Sequence, residues 1–156
     1  MKLPTLGLGI VVIGSVFVIG PIAMVELNEA LAWPRWQSHV GRISGAGLIL
    51  VGIAIALYCS RLFSVVGAGT PVPTEPPKHL VATGLYRYSR NPIYVADIAI
   101  LLGLFLQRGE LSLLLYAGAF AAVAHWWVVH REEPDLSERF GEKYVRYMQS
   151  VPRWVW

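Results

Sequence analysis

Long stretches without a formal charge constrain the fold of this chain more than any other feature. Residues 3–25, 43–60 and 111–130 contain no charged side chain when histidine is counted as neutral. Each stretch is close to the roughly 20 apolar residues that a helix needs to cross hydrocarbon. A fourth apolar stretch, 92–107, is interrupted only by Asp97. With 55% hydrophobic and 15% charged residues, the chain is too apolar for an ordinary soluble domain.

The sequence therefore predicts one all-α integral membrane domain spanning 1–156, with about four transmembrane helices and a C-terminal amphipathic cytoplasmic helix. Glycine-rich stretches in the first two helices indicate close helix packing in lipid, either within a monomer or between copies. The predicted parts are two scaffold helices in 1–66, a proline-rich cytoplasmic loop in 67–91, a helical hairpin in 92–131 and the final helix region in 132–156.

The distribution of Lys and Arg predicts which side faces the cytoplasm. Three of these residues, Arg35, Arg42 and Arg108, fall on one side of a four-helix arrangement, and ten on the other. Because cytoplasmic segments carry the excess of positive charge, both termini are expected to be cytoplasmic. The pI of about 9.2 then reflects topology and attraction to anionic membrane lipids, and no nucleic-acid partner is expected. The single cysteine, Cys59, excludes an intrachain disulfide.

The segment from Thr83 to Asp97 is the best candidate for chemistry. Asn91-Pro92 is a helix start, in which Pro fits the first turn and Asn can cap the free amides. Arg87 and Arg90 would then lie at a helix N-terminus, which favours anions. The same residues could instead be a positive anchor at the membrane boundary.

Acidic residues near the expected end of the fourth helix form a second candidate group. Glu132 and Glu133 would lie at a helix C-terminus, where the helix dipole disfavours negative charge, and this conflict favours a functional role. His125 precedes Glu132 by two turns and would share its face, whereas His130 would point away. The spacing matches no metal-ligand pattern, so no metal site is predicted. Asp97, inside an apolar helix, is a candidate for substrate contact, as is His125.

GLYRYSRNPIY, followed by EEPDLSERFGEKYVRYMQSVPRW, resembles the superfamily of membrane methyltransferases that includes isoprenylcysteine carboxyl methyltransferases and phospholipid N-methyltransferases. The likeness covers about residues 78–154. It implies S-adenosylmethionine as cofactor, a site at the cytoplasmic face covered by the final helix, and a lipophilic small-molecule or lipid substrate. The cofactor-binding residues that it implies are Leu80, Val81, Tyr86, Arg90, Asn91, Pro92, Tyr94 and Glu132.

In this reading, Arg90 holds the methionyl carboxylate and Glu132 holds the ribose hydroxyls or the ammonium group. An amine acceptor would need a base, for which Glu132, Glu133 or His125 are candidates, whereas a carboxylate acceptor would need none. Asn91 stands where prenylcysteine enzymes commonly have His, and Val128 where they have a substrate-contacting Arg. The second departure weakens the prenylcysteine assignment most.

Two other interpretations remain open at the level of sequence. YVAD at 94–97, with a basic helix ending in Val-Pro, also resembles the C-terminal part of membrane sterol reductases, which use NADPH. A non-catalytic membrane subunit would explain the helices but not the Arg-Asn-Pro turn or the glutamate pair. The methyl acceptor, the choice of O- or N-methylation and the oligomeric state stay open.

Overall fold

A computed structural model describes residues 3–70 and 76–155, except for the side chains of residues 3–6 and 8. Pro71 and Pro73 of the predicted cytoplasmic loop lie outside the described residues. The described part is all-helical, with an isolated bridge between Arg35 and Glu110 as its only β-type pairing. Its helices are α1 (3–30), α2 (His39–Val65), α3 (Pro92–Arg108), α4 (Leu111–Phe140) and α5 (Glu142–Ser150), with a 3₁₀ turn at Gly84–Arg87.

Three helical segments of the described part are long and apolar enough to cross a membrane: Gly9–Ala30, His39–Val65 and Leu111–Phe140. The chain is therefore a multi-pass membrane protein. Helix α3 has 17 residues, a length of about 26 Å, which is shorter than the roughly 30 Å of a hydrocarbon core. Its role as a fourth crossing stays a prediction.

Helices α2 and α3 run antiparallel with their backbones in close approach. A Cβ atom on Gly52 would lie 2.8 Å from the Ala96 carbonyl oxygen, and one on Gly103 would lie 2.8 Å from that of Gly45. Such distances leave no room for a side chain, so packing in lipid depends on these small residues. The close approach places the start of α3, with Arg90 just before it, beside the last turns of α2.

Helices α3 and α4 are joined by a tight hairpin connection, Gly109–Glu110. Gly109 adopts a left-handed conformation with φ of 72°, and its carbonyl accepts a hydrogen bond from the Trp36 amide at 2.7 Å. The fully buried Glu110 carboxylate accepts from Arg35. These contacts fix the tip to the α1–α2 connection and bring the other ends of α3 and α4 together at the opposite side of the bundle.

Helix α1 packs against α4 and extends further than its pattern predicts. The Tyr116 hydroxyl donates to the Val16 carbonyl at 3.1 Å, and the Phe17 and Phe120 rings lie 6.5 Å apart. A π-helical segment covers Ser15–Ile19, and the helix continues through Pro21 to Ala30, because proline in the first turn of the following segment needs no amide donor.

Helix α4 corrects the expectation for the glutamate pair. It does not end near Arg131 but continues through a π-helical segment, Val128–Glu132, to Phe140. Glu132 and Glu133 therefore lie inside a long helix, and the argument from an unfavourable C-terminal dipole was wrong. The wider π turn also rotates the following residues, so His125 and Glu132 do not share a face.

The C-terminal helix predicted in the region 132–156 is not a single element. The chain breaks at Gly141, whose φ is 54°, a conformation that costs glycine little. Residues before the break continue α4, and those after it form α5. On α5, Tyr144 and Tyr147 are buried, while Lys143 and Arg146 are exposed. The break lets α5 turn back toward the loop that precedes α3.

Candidate functional site

A cavity of about 530 Å³ lies where the ends of α2, α3 and α4 meet α5 and the preceding loop. Its polar lining includes Arg90, Asn91, Tyr94, Asp97, Glu132 and Tyr144. Its apolar lining includes Val12, Ile13, Val16 and Phe17 of α1 together with Phe120 of α4. Phe120 precedes Glu132 by about 18 Å along the helix. One cavity thus joins Arg90, Asp97 and Glu132 to an apolar region within the bundle.

Glu132 faces this cavity and is held by Tyr94. The Tyr94 hydroxyl donates to Glu132 Oε1 at 2.6 Å. Both side chains line the cavity, and Tyr94 lies in the first turn of α3, directly after the helix start at Pro92. The bond links the beginning of α3 to the π-helical segment of α4 and fixes the orientation of the carboxylate.

Glu133 has a different environment from its neighbour, because it is absent from the cavity lining. Its carboxylate accepts two hydrogen bonds from Arg153, from Nε at 2.7 Å and from Nη2 at 2.9 Å. Arg90 Nη1 lies 3.0 Å from Glu133 Oε1. The hydrogen bond with Glu133 raises the pKa of Arg153. Two cations thus share one carboxylate, and the two adjacent glutamates have separate surroundings.

Arg90 is the buried cation of the cavity, with only 9% of its side chain exposed. Its Nε and Nη1 atoms have no hydrogen-bond partner within residues 3–70 and 76–155, since the contact with Glu133 lacks hydrogen-bond geometry. A buried donor without a partner costs about 1–3 kcal/mol. These unsatisfied donors at a cavity wall are suited to an anionic ligand group, in line with the affinity of guanidinium for carboxylates.

The segment that carries Arg90 is hydrogen-bonded to the C-terminal segment at Pro152 and Arg153. The Arg90 amide donates to the Pro152 carbonyl at 2.9 Å, and the Asn91 side chain donates to the Arg153 carbonyl at 3.1 Å. Asn91 was expected to cap the amides of α3 with its side chain, and it does not. Its side-chain amide donates to the Arg153 carbonyl instead, so tertiary contacts hold the turn that precedes α3.

Tyrosines of α5 and the loop form the wall beside Arg90. The Tyr147 hydroxyl donates to the Tyr86 carbonyl at 2.6 Å. Burial raises the pKa of the Tyr86, Tyr144 and Tyr147 phenols, and the nearby Arg90 cation partly offsets the rise for the last two. These phenols therefore stay neutral and act as hydrogen-bonding and apolar surface.

Most of the residues implied by the sequence meet in this cavity, but not all. Its lining contains Leu80, Val81, Tyr86, Arg90, Asn91, Tyr94, Asp97 and Glu132. Pro92 is buried outside the lining, where it begins α3. His125 is exposed, and its Nδ1 accepts a hydrogen bond from the Trp154 indole at 3.2 Å. Arg87 is exposed and lines a separate shallow groove, so Arg87 and Arg90 do not form one anion-binding site.

Sequence reasoning did not place Tyr144, Tyr147 and Arg153 at the site. The two tyrosines lie in the predicted C-terminal amphipathic helix, where an aromatic residue is compatible with ordinary packing. Arg153 follows Pro152 after the end of α5. Nothing local in the sequence distinguishes it from the other basic residues near the membrane boundary.

Comparison with known proteins agrees with this geometry. The model of the phospholipid methyltransferase family matches residues 40–143, which include α2, α3, α4 and the Arg90–Glu133 pair. The chain belongs to the phospholipid methyltransferase family. This family assignment confirms the superfamily that the sequence resembles and makes the chain a membrane methyltransferase by family. Helix α1 and the C-terminal segment with Arg153 lie outside the matched range.

One relative is an uncharacterised protein of Haemophilus influenzae, which is 35% identical over 63 residues. The aligned region is 40% of this chain and the full length of that protein. No solved structure matches the chain.

Proposed function

We propose that this protein transfers a methyl group from S-adenosylmethionine to a lipophilic acceptor at the cytoplasmic face of the membrane. One observation carries the proposal: a single cavity combines a buried arginine, whose Nε and Nη1 have no hydrogen-bond partner in the described part of the chain, with an oriented carboxylate and an apolar region inside the bundle. A membrane methyltransferase needs these features in one place, because a polar cofactor and an apolar acceptor must meet there.

The cofactor fits the donors and acceptors of this chain. Arg90 would hold the methionyl carboxylate, since its Nε and Nη1 atoms are buried and find no hydrogen-bond partner among residues 3–70 and 76–155. Glu132, fixed by Tyr94, would accept hydrogen bonds from the ribose hydroxyls or the ammonium group. Leu80, Val81 and Tyr86 supply an apolar and aromatic wall suited to an adenine ring. Residues 141–155 would cover this seat from the cytoplasmic side.

The reaction asks little of the side chains beyond orientation. When bound, S-adenosylmethionine supplies the methyl group as a sulfonium, whose leaving thioether is neutral and needs no general acid. The cavity walls align the reactants and exclude water, which together can contribute several kcal/mol to the lowering of the barrier. Arg90 and Glu132 are thus expected to act by positioning, and Glu133, which does not line the cavity, is not expected to transfer a proton.

The acceptor would occupy the apolar region between α1 and α4, with its reacting atom near Asp97. Asp97 lines the cavity, and within the described part it has no hydrogen bond or ion pair. When Asp97 is ionised, a carboxylate acceptor would meet a like charge there, at a cost that grows in a low dielectric. An amine would instead be attracted, and Asp97 could take its proton before attack. This charge pattern favours N-methylation of an amine over methylation of a carboxyl group.

Titration calorimetry of the detergent-purified protein tests the proposal. We expect S-adenosylhomocysteine to bind the wild type, and Glu132→Ala to weaken binding at least about tenfold, as for loss of a hydrogen-bonded charge. Circular dichroism of both proteins controls for folding. Binding of NADPH in place of S-adenosylhomocysteine would replace the proposal with the reductase interpretation. Binding of neither by folded protein would leave the non-catalytic interpretation.

A further inference from the structure

The Glu133 carboxylate lies between two arginines that have different tasks. Arg153 donates to both of its oxygens, whereas Arg90 contacts one oxygen without hydrogen-bond geometry. The Glu133 side chain is 13% exposed. Such a buried carboxylate needs compensation by hydrogen bonds and opposite charge. Arg153 provides most of the hydrogen bonding, so the donors of Arg90 are not consumed.

Arg90 is therefore a cation with two possible anionic partners. Glu133 Oε1 lies 3.0 Å from Arg90 Nη1, and any carboxylate in the cavity would approach the Nε and Nη1 atoms, which have no hydrogen-bond partner among the described residues. If Glu133 lost its bonds to Arg153, it would keep Arg90 as its nearest cation. The guanidinium would then turn toward Glu133 to form the paired geometry that arginine and carboxylate prefer. An anion in the cavity would then lose its guanidinium partner.

We propose that Arg153 is a positioning residue for the cofactor-binding site formed by Arg90 and Glu132. By occupying both oxygens of Glu133, it keeps Arg90 available to the carboxylate of a ligand in the cavity. The proposal rests on the proposed function for the identity of that ligand. It assigns to the segment after α5 a role in cofactor affinity, although that segment lies outside the residues matched by the family model.

The structure allows the side chain of Arg153 to be separated from the docking of its segment. The segment is attached through main-chain carbonyls, with Pro152 accepting from the Arg90 amide and Arg153 from the Asn91 and Ser89 side chains. Arg153→Ala keeps these bonds and removes only the guanidinium. Arg146→Ala is the matched control, since it removes the same charge from an exposed side chain whose bond is to a carbonyl of its own helix.

The experiment is titration of the full-length protein with S-adenosylhomocysteine. We expect Arg153→Ala to weaken binding about 10- to 100-fold, the effect of losing charge-assisted hydrogen bonds, and Arg146→Ala to stay within about twofold. Adding Glu133→Gln to Arg153→Ala removes the competing charge and should restore affinity to within about threefold of wild type. A role limited to folding would not be rescued by this second substitution.

Several outcomes would overturn the inference. Wild-type affinity in Arg153→Ala, or an equal loss in Arg146→Ala, would show that Arg153 does not act on the seat. Failure of Glu133→Gln to restore binding would exclude competition for Arg90. If Arg153→Ala does not fold, Arg153→Lys is the second variant: an ammonium cannot donate to both oxygens of Glu133 as the guanidinium does, so we expect S-adenosylhomocysteine binding to weaken at least about threefold, and wild-type affinity would overturn the inference.

The inference and the proposed function can fail separately. Loss of binding in Arg90→Ala with no effect of Arg153→Ala would retain the cofactor seat and remove the role of Arg153. Absence of S-adenosylhomocysteine binding by folded wild-type protein would overturn both.

Discussion

The hydrogen bond from Tyr94 to Glu132 gives the most direct test of how the cavity works. Tyr94→Phe removes one hydroxyl and leaves the ring in place. The bond is short, at 2.6 Å, partly buried and made to a carboxylate. Hydrogen bonds to charged groups contribute about 1.5–3 kcal/mol. If the bond orients Glu132 for the cofactor, its loss should weaken S-adenosylhomocysteine binding about 10- to 100-fold.

The assay is a double-mutant cycle measured by calorimetry. We expect Tyr94→Phe to be costly in the wild-type background but to add less than about twofold when Glu132 is already alanine, because the effect acts through that carboxylate. Tyr88→Phe is the matched control, since Tyr88 is 70% exposed and lies just before the same segment. It should bind as the wild type does.

Additive losses from the two substitutions would refute this reasoning. Tyr94 would then contact the ligand independently of Glu132. Unchanged affinity in Tyr94→Phe would refute it more completely, because a carboxylate that needs no fixed orientation is not holding the cofactor.

Two further predictions follow from the packing and the acceptor end of the cavity. Gly52→Leu should lower the free energy of unfolding in detergent by about 1–3 kcal/mol or more, because its Cβ would lie 2.8 Å from the Ala96 carbonyl oxygen. Gly47→Ala is the control and should be neutral, because a Cβ at Gly47 would have no atom within 4 Å. Equal thermal melting of both variants would contradict the close α2–α3 packing. Asp97→Asn should bind S-adenosylhomocysteine within about twofold of wild type but lose about 100-fold or more in methylation of an amine lipid, the typical contribution of a general base. Equal turnover by Asp97→Asn would remove Asp97 from the acceptor site.

The residues of the site could be predicted from sequence to different degrees. The sequence pattern was sufficient to predict Arg90, Asn91 and Tyr94, because they surround a recognisable helix start. The family resemblance supplied Leu80, Val81 and Glu132. The dipole argument for Glu132 and Glu133 failed, because it assumed that the helix ends there. Helical periodicity does not reveal a π-helical segment through which a helix continues past two adjacent acids. The role of Arg153 could not be predicted, because its partner Glu133 is twenty residues away and the two meet only when α5 folds back.

What the sequence determined by itself is the class of protein and the composition of its helices. Long uncharged runs have no stable alternative to helices in a membrane, because lipid offers no hydrogen-bond partners to an open backbone. Small residues at Gly45, Gly52 and Gly103 permit the close approach of α2 and α3. These properties depend on local composition and spacing, which a linear pattern records.

The tertiary structure alone decided how the charges are divided among tasks. Glu132 and Glu133 are neighbours in sequence, yet one lines the cavity with Tyr94 and the other is enclosed by Arg90 and Arg153. The difference arises from the direction in which each side chain leaves α4 after the π-helical segment and from the fold-back of the chain at Gly141. Which cation meets which acid is a long-range choice, set by packing and not by sequence spacing.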